Sequence, residues 1–154
     1  MKKAIDILNE KKSNLVSVST GTTLQATLME MNRMRVGAIL VTRDAKVVGI
    51  WTERDLMRNI LNPSFNLDSD LVEDYMTTQL ITAPHDATVY ELMDKFLGLR
   101  IRHLLIEQDG EHIGIISSGD VMKAAIQEKD DELKQLNAMV GWEYYENWRW
   151  KPKK

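Results

Sequence analysis

Two short polar motifs hold the side chains of this sequence that are best suited to chemistry. Thr52 and Asp55 close the first motif, and Ser117 and Asp120 close the second. A carboxylate fixed at a strand-to-helix junction can accept hydrogen bonds from sugar hydroxyls, and the amides of the helix start can meet a phosphate. The same spacing of hydroxyl and carboxylate is also typical of a helix capping box, which would serve stability alone.

The two motifs belong to an internal duplication with an offset of 65 residues. Residues 15–61 overlay residues 80–126 without a gap, and both copies end in Gly-apolar-apolar-Thr/Ser-x-x-Asp. Identical pairs include Leu15/Leu80, Thr23/Thr88, Arg35/Arg100, Leu40/Leu105, Asp44/Asp109, Gly49/Gly114, Asp55/Asp120 and Met57/Met122. One supersecondary unit used twice has this appearance. The repetition favours a binding role over two unrelated capping boxes.

Each copy is predicted to fold as strand, helix, strand, strand and helix. In the first copy, strands are expected over residues 15–19, 36–41 and 47–51. The first helix follows Thr22 and Thr23, and it has a buried stripe formed by Leu24, Leu28 and Met31.

The second copy repeats these elements with stronger local signals. Thr88 with Glu91 predicts a capping box, and Val89, Met93 and Phe96 lie at the phases of the first copy's stripe. The dipeptide Asp109-Gly110 predicts a tight hairpin between strands over 101–106 and 112–116. Neither copy alone could bury both faces of so small a sheet, so we expect the copies to pack about a pseudo-twofold axis.

Two segments lie outside the duplication. Residues 1–14 are expected to form a lead-in helix with Ile5, Ile7 and Leu8 on its apolar side. The last helix should run through Met139, with Gly141 as its stop. An aromatic tail follows, which contains Trp142, Tyr144, Tyr145, Trp148 and Trp150.

These features resemble a tandem pair of CBS domains, also called a Bateman module. The resemblance rests on VGAILV with GIWTERD in the first copy and IRHLLI with GIISSGD in the second, and it covers about residues 4–128. It is closest to small stand-alone bacterial proteins made of two CBS domains. The implied fold class is α/β (α+β), with two β-α-β-β-α repeats. We expect domains at residues 1–66 and 67–128, and an extension over 129–154.

The resemblance also implies a regulatory function. CBS pairs bind adenosine-containing ligands such as AMP, ADP, ATP, NAD or S-adenosylmethionine in clefts between the repeats. We call the cleft beside Asp55 the first cleft and the one beside Asp120 the second cleft. The family pattern gives each motif carboxylate the ribose hydroxyls, and gives Thr52 and Ser117 contacts to ribose or phosphate.

The resemblance nominates further ligand-binding residues. The adenine pocket is implied to come from the strand before the first helix and from the start of the next strand. Arg102 and His103 are the basic residues nominated for the phosphates. The implied pocket residues are Ser17, Val18, Gly37 and Ala38 in the first copy, and Thr82, Ala83, Arg102 and His103 in the second.

The two copies also differ in ways that matter for binding. The first copy has Gly37 and Ala38 where the second has Arg102 and His103, so the clefts cannot be equivalent. Trp51 lies beside a motif position and could either stack in the core or narrow a cleft. A partly protonated His103 would make binding sensitive to pH.

Composition narrows the possible functions. A net charge of −3 argues against general binding to nucleic acid or to a membrane surface. The absence of cysteine excludes thiolate catalysis and fits a cytoplasmic protein. We see neither a signal peptide nor an apolar stretch long enough to span a bilayer. The histidines lack the spacing of metal ligands, and no catalytic constellation stands out, so we expect neither a metal site nor an enzyme.

We therefore expect a homodimeric nucleotide sensor that acts on an unidentified protein target. The alternative is a constitutive interaction scaffold that uses its dimer surface and aromatic tail. The tail could cover apolar surface of its own chain or of a dimer partner. It could also dock a protein or single-stranded nucleic acid, combining its rings with Arg149, Lys151, Lys153 and Lys154.

Overall fold

A computed structural model describes residues 1–11 and 15–147, and describes side chains for residues 1–11 and 15–140. The helices and strands of the two copies follow the order that the duplication predicts. In chain order the elements are α1 (Ala4–Lys11), β1 (Ser17–Ser19), α2 (Leu24–Met34), β2 (Ala38–Arg43), β3 (Lys46–Thr52), α3 (Glu53–Asn59), a 3-10 helix (Val72–Asp74), β4 (Thr82–Pro84), α4 (Val89–Leu99), β5 (His103–Gln108), β6 (Glu111–Ser117) and α5 (Ser118–Asn147).

The strands form two three-stranded sheets of identical design. In each sheet the first strand runs parallel to the middle strand, which pairs antiparallel with the last. The register also repeats at the sequence offset, since Ala38 pairs with Thr52 and His103 pairs with Ser117. The predicted mixed α/β fold, with two β-α-β-β-α repeats related by a pseudo-twofold axis, is confirmed.

Tight turns close both hairpins. Asp109 and Gly110 have φ angles of 52° and 81°, and Asp44 and Ala45 have φ angles of 51° and 63°. Two consecutive positive φ angles match the right-handed twist of the flanking strands. The predicted Asp-Gly turn is confirmed, and the first copy makes the same turn although it has an alanine at the second position.

Side-chain caps begin the first helix of each copy. The Thr23 hydroxyl accepts from the Ala26 amide, and Thr88 with Glu91 forms the predicted capping box. Both helices end at an arginine with positive φ, Arg35 or Arg100. The helices bury the stripes that the sequence predicts, with Leu24 and Val89 fully buried.

Each repeat is completed by a segment from elsewhere in the chain. Helix α1 buries Ala4 and Ile7 in the core of the second repeat, next to Val89 and Ile116. The segment between the copies buries Val72 in the core of the first repeat. The domain boundaries predicted at residues 66 and 128 stay a prediction. The exchanged segments link the two repeats, because each segment packs into the core of the other repeat.

Helix α5 differs from the prediction at its end. It continues through Gly141 to Asn147, so the predicted stop at Gly141 is wrong. One glycine inside a helix costs only about 1 kcal/mol relative to alanine, and no proline follows before Asn147. Trp142, Tyr144 and Tyr145 therefore belong to helix α5, whereas Trp148 and Trp150 lie outside the described residues.

Candidate ligand-binding cleft

The first motif forms the junction between β3 and α3. The Thr52 hydroxyl accepts from the Asp55 amide at 3.2 Å, while Asp55 Oδ2 accepts from the Thr52 amide at 3.0 Å and from its hydroxyl at 3.1 Å. The Glu53 amide donates to the Gly37 carbonyl at 3.0 Å, which ties the junction to the start of β2. These bonds hold the Asp55 carboxylate at the amino end of helix α3.

The second motif forms the same junction between β6 and α5. Asp120 Oδ2 accepts from the Ser117 amide at 2.8 Å, and the Ser117 hydroxyl accepts from the Asp120 amide at 3.2 Å. The Ser118 amide donates to the Arg102 carbonyl at 3.0 Å, as Glu53 does to Gly37. Both motifs are therefore capping boxes, and the capping interpretation is correct for each.

The first cleft opens between the two repeats. Thr52 and Asp55 line it from the first repeat, and Arg102 and His103 line it from the second. Gly37 also borders the cleft. The structure thus brings together five of the residues nominated from the sequence, and it places the motif carboxylate and the basic strand start around one space.

Several further residues line the first cleft that the sequence did not single out. Three additional arginines surround it, and apolar side chains form its walls. These further residues are Ile50, Glu53, Arg54, Arg58, Thr77, Gln79, Leu80, Ile81, Arg100, Ile101 and Leu105. With Arg102, four arginines oppose two carboxylates, so the first cleft is suited to an anionic ligand.

Other nominated residues lie elsewhere. Ala38 and Ala83 are buried in the cores of their repeats, and Val18 packs against the core of the first. Ser17 is exposed on β1, and the Thr82 carbonyl accepts from Lys95. Residues 79–81, immediately before β4, border the first cleft where Thr82 and Ala83 were nominated.

His103 lines the first cleft and lies near both positive and negative side chains. Burial lowers the pKa of its imidazole, and the nearby positive charges of Lys11 and Arg102 act in the same direction. Glu53 and Asp120 oppose this effect. The free protein therefore holds His103 in its neutral form at pH 7.

Trp51 does not enter the cleft. Its ring is fully buried in the core of the first repeat, and its indole Nε1 donates to Asn59 Oδ1 at 3.0 Å. Of the two possibilities that the sequence leaves open for this residue, the structure shows packing in the core.

The second motif has a different electrostatic setting. Lys11 Nζ lies 2.8 Å from Asp120 Oδ2, and both side chains are about three-quarters buried. Burial opposes ionisation of Asp120, but the hydrogen bonds from Lys11 and Ser117 outweigh it, so the pKa of Asp120 is lowered. Asp55 makes no salt bridge within the described part of the chain.

The described residues form neither a metal-binding cluster nor a membrane-spanning helix. No group of three or more histidine, aspartate or glutamate side chains in residues 1–11 and 15–140 is arranged to hold a metal ion. Within the same ranges, every helix is too short or too polar to cross a membrane.

The duplicated design matches a known family. A family model of the CBS domain fits residues 4–62 and fits residues 72–127 a second time. The chain belongs to the CBS domain family. Its two CBS domains together account for both sheets, for helices α1 to α4 and for the first third of α5.

Relatives of this CBS pair are found in plants and bacteria. The chain is 34% identical over 127 residues to the mitochondrial CBS domain-containing protein CBSX3 of Arabidopsis thaliana, covering 79% of this chain and 62% of that relative. The crystal structure of the CBS-domain containing protein ATU1752 from Agrobacterium tumefaciens superposes with a TM-score of 0.75. That match has 32% identity and covers 80% of this chain and 99% of the other.

A more distant CBS protein was solved with a ligand. The CBS domain protein PAE2072 from Pyrobaculum aerophilum, complexed with AMP, superposes with a TM-score of 0.67. At 24% identity, over 77% of this chain and 89% of that one, the likeness shows the fold alone.

Proposed function

We propose that this CBS pair is a regulatory sensor that binds a phosphate-bearing adenosine ligand, such as AMP, ADP, ATP or NAD, in the first cleft. The observation that carries the proposal is the meeting of Asp55 from one repeat with Arg102 and His103 from the other. A ligand in that position touches both repeats at once. Its binding energy can therefore act on their relative arrangement.

Each part of such a ligand has a partner of matching chemistry. Both capping bonds to Asp55 end on Oδ2, which leaves Oδ1 for a ribose hydroxyl. Ile50, Leu80 and Ile101 offer apolar surface for the adenine ring. The guanidinium groups around the cleft suit phosphate oxygens, which arginine binds in a bidentate manner.

The arginines also bear on ligand choice. The neighbour from Pyrobaculum aerophilum carries AMP, and the CBS pair of MJ0100 was solved with 5-methylthioadenosine and S-adenosyl-L-methionine. Methylthioadenosine has no phosphate, and S-adenosylmethionine carries a positive sulfonium. Methylthioadenosine offers no negative charge to the four arginines of the first cleft, and S-adenosylmethionine would be repelled by them. We therefore favour a phosphate-bearing nucleotide for this chain.

Binding of AMP and adenosine to matched variants tests the proposal. Arg102→Ala should weaken AMP binding about ten-fold to a hundred-fold, the loss of one charge-assisted hydrogen bond, and should leave adenosine binding nearly unchanged. Asp55→Asn should weaken both ligands, because both carry the ribose. Arg43→Ala removes an exposed arginine outside the cleft and serves as the control.

Two results would overturn the proposal. The phosphate role of Arg102 is wrong if its variant binds AMP as tightly as the Arg43 variant does. The cleft itself is wrong if Asp55→Asn binds both ligands like the wild type.

We also propose that the sensor is a cytoplasmic homodimer without catalytic activity, and that it signals to a separate protein target. The motif residues all have capping or binding roles, and no group among them is arranged for proton transfer or nucleophilic attack. The proposed dimer surface is formed by exposed apolar side chains of α3, of the two residues that follow α3, and of α5, since a patch of that kind is rarely left open on a monomer. The exposed members are Met57, Ile60, Leu61, Met122 and Ile126.

A constitutive scaffold remains the alternative, because one observation favours it. Helix α5 carries a further row of exposed apolar residues beyond the second repeat, namely Leu133, Leu136, Met139 and Val140. Such a row can bind a partner whether or not the clefts are occupied. In a scaffold of this kind, Asp55→Asn would leave partner binding intact, and truncation of α5 after residue 128 would abolish it.

A further inference from the structure

We propose that Lys11 closes the second cleft, so that each chain takes one nucleotide, in the first cleft. This inference rests on the proposed function, since it concerns binding of the same nucleotide at the second motif. It makes a single lysine from the lead-in helix the residue that sets the binding stoichiometry.

The first step is the position of the ammonium group. Lys11 Nζ lies 2.8 Å from Asp120 Oδ2 and 3.5 Å from the Ile115 carbonyl oxygen. The counterparts of these two residues, Ile50 and Asp55, both line the first cleft. The ammonium therefore bridges two positions whose equivalents in the first repeat border the ligand space.

The second step is that Lys11 is held in place. It ends α1, which is anchored to the second repeat by the buried side chains of Ala4 and Ile7 and by a bond from the Ala4 amide to the Ala87 carbonyl. The Leu8 side chain covers Gly114 so closely that a Cβ there would lie 2.6 Å from it. The anchored helix therefore holds the backbone of Lys11 beside Asp120, although Lys11 as a whole is exposed.

The third step is the contrast with the first repeat. Leu8 covers Gly114 as Met76 covers Gly49, so Lys11, three residues after Leu8, corresponds to Gln79, three residues after Met76. The Gln79 side chain lines the first cleft and is uncharged, and within the described ranges no cation pairs with Asp55. The two repeats therefore contain their own comparison, with a lysine at one position and a glutamine at the other.

The fourth step weighs the ligand against the lysine. A ribose hydroxyl is an uncharged donor, whereas the Lys11 ammonium adds Coulombic attraction to its hydrogen bond with the Asp120 carboxylate. Lys11 and Ser117 both bond to Oδ2 of Asp120, so a nucleotide could still reach Oδ1, but it would have to displace the Lys11 side chain from the space beside Ile115 and Asp120. The residues at the places of Arg102 and His103 are Gly37 and Ala38, which offer no charged group to compensate.

Binding stoichiometry, measured by titration calorimetry with AMP and with ATP, tests this inference. Wild-type protein should bind one molecule per chain, and this binding should be lost in Asp55→Asn and kept in Asp120→Asn. Lys11→Met removes the charge but keeps an unbranched side chain, so it should raise the number of bound molecules to two. Adding Asp120→Asn to Lys11→Met should return the number to one.

Lys11→Arg is the matched control, since it keeps the cation and should stay at one molecule per chain. Circular dichroism of Lys11→Met and Lys11→Arg checks that both variants fold. Two molecules bound by the wild type, or one bound by a folded Lys11→Met variant, would overturn the role of Lys11 and leave the proposed function standing. No binding of either nucleotide by any of these proteins would instead refute the proposed function, and the inference with it.

Discussion

The motif carboxylates show how one side chain can serve both stability and binding. Asp55 uses one oxygen, Oδ2, to accept both the amide and the hydroxyl hydrogen bond from Thr52. A carboxylate offers about four lone-pair positions, so the cap does not exhaust its capacity to accept hydrogen bonds. The two interpretations that the sequence allows for this motif are therefore compatible, and the cap serves to orient the group that we propose for ribose.

Ala45 gives a prediction about local strain. Its φ of 63° disfavours a side chain, and its counterpart Gly110 has a φ of 81°. Ala45→Gly should stabilise the protein by up to about 1 kcal/mol, because the left-handed conformation costs roughly 1–2 kcal/mol and glycine's extra unfolded-state entropy offsets part of the gain. Urea unfolding measures this change.

Gly110→Ala is the reverse substitution at the equivalent turn. No atom lies within 4 Å of the Cβ that it would add, so only the backbone opposes it. It should destabilise the protein by about 1 kcal/mol. Equal free energies of unfolding for wild type and both variants would contradict the account of these turns.

His103 gives a prediction about pH. Burial, Lys11 and Arg102 lower its pKa in the free protein against the opposing charges of Glu53 and Asp120, so it is neutral at pH 7. A bound phosphate would raise that pKa, and binding would then take up a proton. Affinity for AMP should therefore rise as the pH falls from 8 to about 6.5.

The variant His103→Asn separates this effect from titration of the ligand. The phosphate itself has a second pKa near 6, which affects both proteins equally. The variant should lose the additional rise in affinity that the wild type shows. Parallel pH profiles for the two proteins would exclude His103 as the titrating group.

At the scale of the element, the sequence predicts most of what the structure contains. The duplication fixes the order of strands and helices because the apolar positions and turn residues recur together, as at Asp44 and Asp109. The end of α5 was predicted wrongly because Gly141 is compatible with either a stop or a continued helix. Local pattern cannot choose between them when no proline follows.

The candidate site was less predictable than the fold. The motif residues of the first cleft follow from their repetition, but Gln79 and Ile81 border it only because the segment before β4 passes beside the motif of the first repeat. Lys11 reaches Asp120 across a separation of 109 residues. The overlay at an offset of 65 residues begins at residue 15, so only the packing of Leu8 and Met76 pairs Lys11 with Gln79 and shows what Lys11 touches.

The exposed faces of α3 and α5 give a prediction about assembly. Met57 and Met122 are equivalent positions, and both are more than 60% exposed, so the apolar surface follows the pseudo-symmetry of the repeats. Burying it in a twofold dimer would gain roughly 25 cal/mol for each Å² of apolar surface. Ile126→Lys should therefore convert a dimer into a monomer, as measured by light scattering.

Leu97→Lys is the control for this surface. Leu97 is 74% exposed on α4, outside the proposed interface, and its variant should remain dimeric. A monomeric wild type, or a dimer that Ile126→Lys leaves unchanged, would contradict the proposed interface.

The whole molecule consists of two interlocked repeats rather than two independently packed domains. Helix α1 completes the core of the second repeat, and the segment around Val72 completes the core of the first. A ligand in the first cleft would join the same two units from a different side. It can shift their arrangement only by its difference in affinity for the alternatives, so signalling needs more than tight binding.

Thermal unfolding of the purified protein with separate nucleotides tests the central claim most directly. The ligands are AMP, ADP, ATP, NAD, adenosine and S-adenosylmethionine, each at millimolar excess over protein that has been freed of copurified nucleotide. A ligand at 100 times its dissociation constant adds about 2.7 kcal/mol of stability, which raises the melting temperature by several degrees.

We expect a rise for at least one phosphate-bearing nucleotide, a smaller rise for adenosine, and little for S-adenosylmethionine, whose positive charge opposes the arginines of the first cleft. The rise should disappear in Asp55→Asn. An unchanged melting temperature with every ligand, in protein shown to be folded, would contradict the sensor function and favour the scaffold.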